Sequence, residues 1–242
     1  MALLVNGEGI MLSDYQAELE VYMATVLETE EAEQEIQDEL ISQLLLAQAA
    51  YQAGFTLDEN SLEERLTSLE IQVGGAQALT DWMIANGYSK ESFTRAFSRA
   101  VAAAWMRDQI VTAVPTRVEQ VHARQVLVNS SDEANQLLAS IQAGTTFASL
   151  VYKYDPVNSG DLGWFPRGYL SETAIEEAAF ALQAGEVSPV IESSLGYHII
   201  QVTERDPKHP LETEARLVLQ TQALSEWLEK QRSQAEIQIL LP

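Results

Sequence analysis

Hydrophobic spacing changes period twice along this chain, at Pro115 and again at Pro207, so no single uniform architecture satisfies all three segments. Before Pro115, apolar residues recur every three or four positions, as amphipathic helices require. Leu3 to Ile10, with Asn6-Gly7 inside an apolar run, reads as a short strand with a turn. Ser13 and Gln16 form a capping box opening a helix with Tyr15, Leu19, Tyr22, Met23 and Val26 on one face. A second helix is expected from Glu30 to Ala53, striped by Ile36, Leu40, Ile41, Leu44, Leu45 and Tyr51 and stopped by Gly54. Further helices are expected to start at Thr56 or Ser61, near Gln77, and at Ser89. The last carries Phe93, Phe97, Val101, Trp105 and Ile110 until Pro115 ends it.

Between the two prolines, strands and helices mix. Val121–Val128 and Tyr197–Val202 read as strands. Residues 132–142, 147–154 and 171–182 read as helices, and 155–160 as a loop. The fold class is therefore α+β: a small mixed or antiparallel sheet with surrounding helices, set within an all-α region. After Pro207 and Pro210, a helix over about Thr213–Ser233 ends in an alternating stretch, Ala235 to Leu240. This tail cannot bury its apolar face alone. The expected organisation is a helical domain at 1–117, an α+β domain at 118–206, and a tail at 207–242 packing back on the first domain.

Composition narrows function. The formal charge is −22 with a pI near 4.3, a surface that repels phosphate backbones, so nucleic acid is not an expected partner. There is no Cys, hence no disulfide, thiolate nucleophile or Cys metal site. Three histidines (His122, His198, His209) leave little for a His-rich metal centre. No stretch approaches the roughly 18 apolar residues of a membrane span. The start lacks the basic stretch and apolar run of a signal peptide. Read alone it points to the cytosol, whereas Met1-Ala2 replacing an export or anchor segment would place the protein outside it. A Cys-free chain fits the second case.

Gly160-Asp161-Leu162-Gly163-Trp164-Phe165 resembles the central motif of parvulin-type (PpiC) peptidyl-prolyl cis-trans isomerases. His122 to Val128 resembles the first strand of that family. Glu176 to Leu182 with Gly185 to Val190 resembles its third helix and exit, and Leu195 to Ile200 its final strand. The likeness covers about residues 119–206 and rests on four ordered motifs. The flanks resemble SurA- and PrsA-like exported chaperones, in which a helical domain is completed by a C-terminal helix and strand with the parvulin inserted between.

The resemblance implies an isomerase and foldase for X-Pro bonds in unfolded or exported polypeptides, located outside the cytoplasm and needing no cofactor or metal. It also allows a homodimer. It places His198 at the family's second catalytic histidine, Asp155 at its acidic or thiol position, and Gln125 where the first histidine usually stands. His122 lies three residues earlier, an offset that points it to the other face of a strand. Gln donates and accepts hydrogen bonds without titrating, so activity below that of a two-histidine parvulin is expected. The proline pocket falls on Leu162, Phe165, Leu170 and Ile175.

Plainer readings stand beside these. His198 can be a satisfied buried strand histidine, and Asp155 before Pro156 a turn residue. Leu162, Phe165 and Leu170 can be core. Glu28, Glu30, Glu31, Glu33 and Glu35 read as a solvated, helix-starting face. Two other functions stay open: a non-catalytic chaperone whose parvulin module only binds peptide, and an assembly scaffold built on the helical domain.

Overall fold

A computed structural model describes residues 1–23 and 29–241. Val26 and Glu28 lie outside the described residues, as do the side chains of Glu30 and Glu31. The chain forms two compact units, residues 1–113 with 223–242, and residues 114–222.

The first unit is helical with a small sheet. Strands β1 (Leu3–Val5) and β2 (Glu8–Ile10) form a hairpin whose turn residues, Asn6 and Gly7, both take positive φ (54° and 82°). That is the geometry for which Asn-Gly is favoured in two-residue hairpins. Helices α1 (Leu12–Met23), α2 (Thr29–Gln52), α3 (Glu59–Val73), α4 (Ala76–Ala85) and α5 (Lys90–Ala113) follow. Ser13 does not cap α1 but sits inside its first turn, and Asp58, not Thr56 or Ser61, caps α3 by accepting from Ser61 N at 2.8 Å. Ser89 does cap α5, its hydroxyl accepting from Ser92 N at 3.0 Å.

The tail returns to this unit. Strand β7 (Ile237–Ile239) pairs antiparallel with β1, Leu3 opposite Ile239 and Val5 opposite Ile237. Asn6 Oδ1 accepts from Glu236 N at 3.0 Å, and Arg232 binds the Asp38 carboxylate at 2.9 Å. Ala235, Ile237 and Leu241 pack on the cluster of Leu3, Val5, Ile10, Tyr15, Leu40 and Leu44. This packing removes apolar surface of the first sheet from water.

The second unit is a four-stranded antiparallel sheet in the order β4-β3-β6-β5: β3 (Arg117–Val128), β4 (Asp161–Pro166), β5 (Ile191–Ser193) and β6 (Gly196–Pro210). Both long strands outrun the expected 121–128 and 197–202, and Pro207 lies inside β6. Beyond Val202, β6 pairs only with β3, so its other side is an edge there and tolerates a missing N–H. The unit also continues past Pro207 to residue 222, because Gln222 Nε2 donates to the Gly168 carbonyl. Position 222 lies inside α9 (Thr213–Gln234), so the division falls within a helix.

The sheet buries both faces. On one, Val121, Ala123, Phe165, Ile200 and Val202 pack against Ile175, Ala179 and Phe180 of α8 (Thr173–Ala181). On the other, Val126, Val128 and Ile199 pack against α6 (Ser131–Gln142) and α7 (Phe147–Tyr154). Strand alternation puts Gln125 and His198 on the α8 face, between these core positions.

Candidate functional site

Three side chains form a chain of hydrogen bonds across the α8 face. His198 is buried, 1% exposed. Its Nδ1 lies 2.8 Å from Gln125 Oε1 and its Nε2 2.7 Å from Ser193 Oγ. An amide oxygen only accepts, so Nδ1 carries the proton and Nε2 takes the hydrogen of Ser193. Ser193 Oγ in turn accepts from Leu195 N at 3.0 Å. A neutral ring in this one tautomer satisfies both contacts. Burial pushes its pKa below the ordinary histidine value, outweighing the opposing pull of Glu172. Glu172 is itself held by Ser194, whose hydroxyl donates to it at 2.6 Å.

The loop before β4 sets the backbone under Gln125. Gly160 has φ 59°, and a Cβ there would lie 2.0 Å from the Gln125 carbonyl oxygen. Only glycine permits the 2.8 Å bond from Gln125 N to Gly160 O. Asp155 shapes this loop. Its carboxylate accepts from Asn158 N and Gly160 N at 3.0 Å each and from Val157 N at 3.3 Å, and these N–H groups hold its pKa below the usual carboxylate range. The carboxylate of Asp155 thus holds the turn together. A cavity of about 290 Å³ nevertheless brings Asp155, Gln125, Leu127, Tyr154 and Gly160 together.

The apolar candidates divide. Leu162 and Leu170 are partly buried and Ile175 is buried, all packed on the α8-face cluster. Phe165 is fully buried in the same cluster, edge-on to Phe180 at 6.0 Å. His122 lies on the opposite face, bonded to Thr203 Oγ1 at 2.7 Å and 3.4 Å from Asp161.

Two positioning groups were missed in the sequence. Ser193 is one. The other is Glu176, in the first turn of α8, whose carboxylate accepts from Gly168 N at 2.7 Å, Tyr169 N at 3.0 Å and Leu170 N at 3.1 Å. It fixes the turn that carries Leu170. The signal available was an acidic residue at a helix start, just after an Arg-Gly turn.

Residues 110–206 match the family described as the PPIC-type PPIASE domain. The foldase protein PrsA of Halalkalibacterium halodurans is 43% identical over 91 residues, 36% of this chain and 27% of that protein. The chaperone SurA of Bordetella parapertussis is 36% identical over 146 residues, 51% of this chain and 28% of that protein. The chain thus spans little more than a quarter of either relative. A crystal structure of peptidylprolyl isomerase PrsA from Bacillus cereus superposes with a TM-score of 0.54 at 18% identity, covering 84% of this chain and 81% of that one, which shows a shared fold. Sequence motifs, sheet order and domain match agree, and residues 110–206 of this chain are a PPIC-type PPIASE domain of the parvulin kind.

Proposed function

We propose that the chain is a foldase that isomerises X-Pro bonds in unfolded polypeptides outside the cytoplasm. The observation that carries this reading is the buried His198 clamped between Ser193 and Gln125 on the sheet face that holds the apolar cluster of Leu162, Leu170 and Ile175. Prolyl isomerisation breaks no covalent bond; its barrier is lost amide resonance, about 18–20 kcal/mol. A catalyst needs an apolar slot for the pyrrolidine ring and polar groups that favour the twisted amide over both planar forms. Leu162, Leu170 and Ile175 supply the slot. Gln125 spends its oxygen on His198 and keeps its amide N–H groups for the peptide. As the amide twists, its nitrogen regains a lone pair, and a donor placed there stabilises that state. His198 and Ser193 act by fixing the Gln125 side chain. Asp155 acts through the loop backbone. This chemistry requires no metal or cofactor.

Among the described residues no helix is long and apolar enough to cross a membrane. The extracytoplasmic setting is supported by the likeness to the foldase and chaperone relatives.

One observation favours a second reading, a module that only binds peptide: Gln125 stands in place of a histidine. Exchange spectroscopy on several X-Pro peptides, with no protease in the assay, separates the two. Removing one transition-state hydrogen bond costs on the order of 100- to 1,000-fold. Wild type should be active, Gln125→Ala reduced by a factor in that range, His198→Ala reduced by less because it only loosens Gln125, and Gln125→His more active than wild type. Peptide binding with no isomerisation in wild type or Gln125→His establishes the second reading.

A further inference from the structure

Strand β3 keeps a short open edge next to Gln125. Strand β4 pairs with β3 only from Gln120 to Arg124, and the last bond on that side runs from Gln125 N to Gly160 O at 2.8 Å. The chain before Gly160 folds away: Ser159 has φ 56°, and Asn158 O accepts from Asp161 N at 3.1 Å. In an antiparallel ladder the N–H and C=O of every second residue point to the same side. Gln125 points its pair at Gly160, so Leu127 points its pair to that side too, where no described strand meets it. Val128 turns the other way, its carbonyl oxygen 2.6 Å from where a Cβ of Gly196 on β6 would stand.

The open groups border the cavity of about 290 Å³ that Leu127 shares with Gln125, Tyr154, Asp155 and Gly160. Leu127 is 38% exposed, a large apolar side chain left at the rim. By strand alternation it lies on the α8 face with Gln125, about 7 Å along the strand. An unpaired strand edge beside an apolar side chain is a template for another backbone.

Continuity names the occupant. The edge runs directly into Gln125, whose amide N–H groups are kept for the peptide, so the segment that fills it is a flank of the same substrate. Only one residue of β3 is open, and antiparallel pairing lets a single guest residue exchange both bonds with it. The guest then continues the line of β4, its C-terminal end towards Gly160. It cannot pass Gly160 in line and must step onto the α8 face, where Gln125 and the apolar cluster lie. Two residues of β3 cover that distance, which sets the proline two or three residues after the paired one. The paired residue places its side chain beside Leu127 on the same face, which favours an apolar residue.

We propose that β3 takes its X-Pro substrate by strand addition: Leu127 N–H and C=O exchange hydrogen bonds with an apolar residue two or three positions before the proline. The proposal rests on the isomerase reading and adds to it the class of substrate, an extended segment apolar at that position.

The probe is a fluorescein-labelled peptide with four alanines before Pro-Phe, unmodified and N-methylated at each alanine in turn, titrated by anisotropy against the full chain. Methylation should weaken binding about tenfold at one alanine, the second or third before the proline, and by less than twofold at the others, whose N–H groups do not meet Leu127. Leu at the sensitive position should tighten binding and Asp should weaken it. Leu127→Pro removes an N–H that the fold leaves unpaired, a loss that a strand edge tolerates. It should weaken the unmodified peptide about tenfold and shrink the methylation penalty to within twofold. In wild type, saturation with the unmodified peptide should slow solvent exchange of the Leu127 amide about tenfold, a reading independent of whether the variant folds. An equal penalty at all four alanines, no penalty at any, or an unprotected Leu127 amide would overturn strand addition. Exchange spectroscopy on the same peptides tells the two readings apart. Isomerisation of the unmodified peptide with an unprotected Leu127 amide overturns strand addition alone, whereas a chain that neither binds nor isomerises that peptide overturns both.

Discussion

Glu176→Ala removes a carboxylate that accepts three backbone N–H groups in one turn, at 2.7, 3.0 and 3.1 Å. Hydrogen bonds to a charged group contribute about 1.5–3 kcal/mol each, and bonds sharing one acceptor are not additive. Water replaces part of the loss because the residue is only half-buried. The local cost is therefore about 2–4 kcal/mol. That figure predicts that the amides of Gly168, Tyr169 and Leu170 exchange with solvent about 30- to 1,000-fold faster in the variant. Amides of α6 and α7, on the other face of the sheet, should keep their wild-type rates. Leu170 sits on this turn and against the α8-face cluster, so the pocket loosens with it. Isomerase assays should show a higher KM with a smaller change in kcat, because substrate and transition state lose the same apolar wall. Glu176→Gln should fall between, since its amide nitrogen faces donors that it cannot accept. Unchanged exchange at 168–170 in Glu176→Ala would refute the positioning role.

The neutral state of His198 gives a pH dependence. Burial lowers its folded pKa below the unfolded value of about 6.5, so its contribution is complete above that pH and is lost as pH falls through the folded value. Urea midpoints from pH 7.5 to 5 should fall more steeply for wild type than for His198→Asn; parallel curves would count against a buried neutral ring. Gly160→Ala forces a Cβ to within 2.0 Å of the Gln125 carbonyl and should destabilise the second unit by at least ~2 kcal/mol, read by thermal melting. Deleting residues 235–242 strips β7 from β1 and uncovers Leu3 and Val5, so dye binding to exposed apolar surface should rise; a truncated chain with wild-type dye binding would show that the tail is dispensable.

Much of the fold was legible because its signals are local. The Asn6-Gly7 turn, the Ser89 cap and the stripe of α2 are each set by residues within a few positions of one another. The misreadings share one cause. Thr56, Asp58 and Ser61 are all competent caps, and which is used depends on how the chain enters α3. Pro207 reads as a strand terminator until one knows that β5 stops early and leaves that stretch of β6 with an open side, a property of the neighbour and not of the segment.

The site divides along the same line. His198, Leu162 and the acidic turn could be placed by motif and order, and Gln125 by its position within a strand. Phe165 could not be told apart from Leu162, because both join the α8-face cluster and only the packing shows that Phe165 is fully buried while Leu162 is half-buried. Ser193 and Glu176 were invisible for a different reason. Each acts by reaching across a turn to a group five to eight residues away, and a lone Ser or Glu in a polar stretch carries no spacing that betrays its target. Yet those two reaches make the rest specific. Without Ser193 the imidazole loses the donor that keeps Nε2 an acceptor, and either nitrogen could then face Gln125. The amide of Gln125 would turn to suit, and its donors would no longer be reserved for a peptide. The unconventional residue at position 125 therefore depends on Ser193, which it reaches only through the imidazole between them.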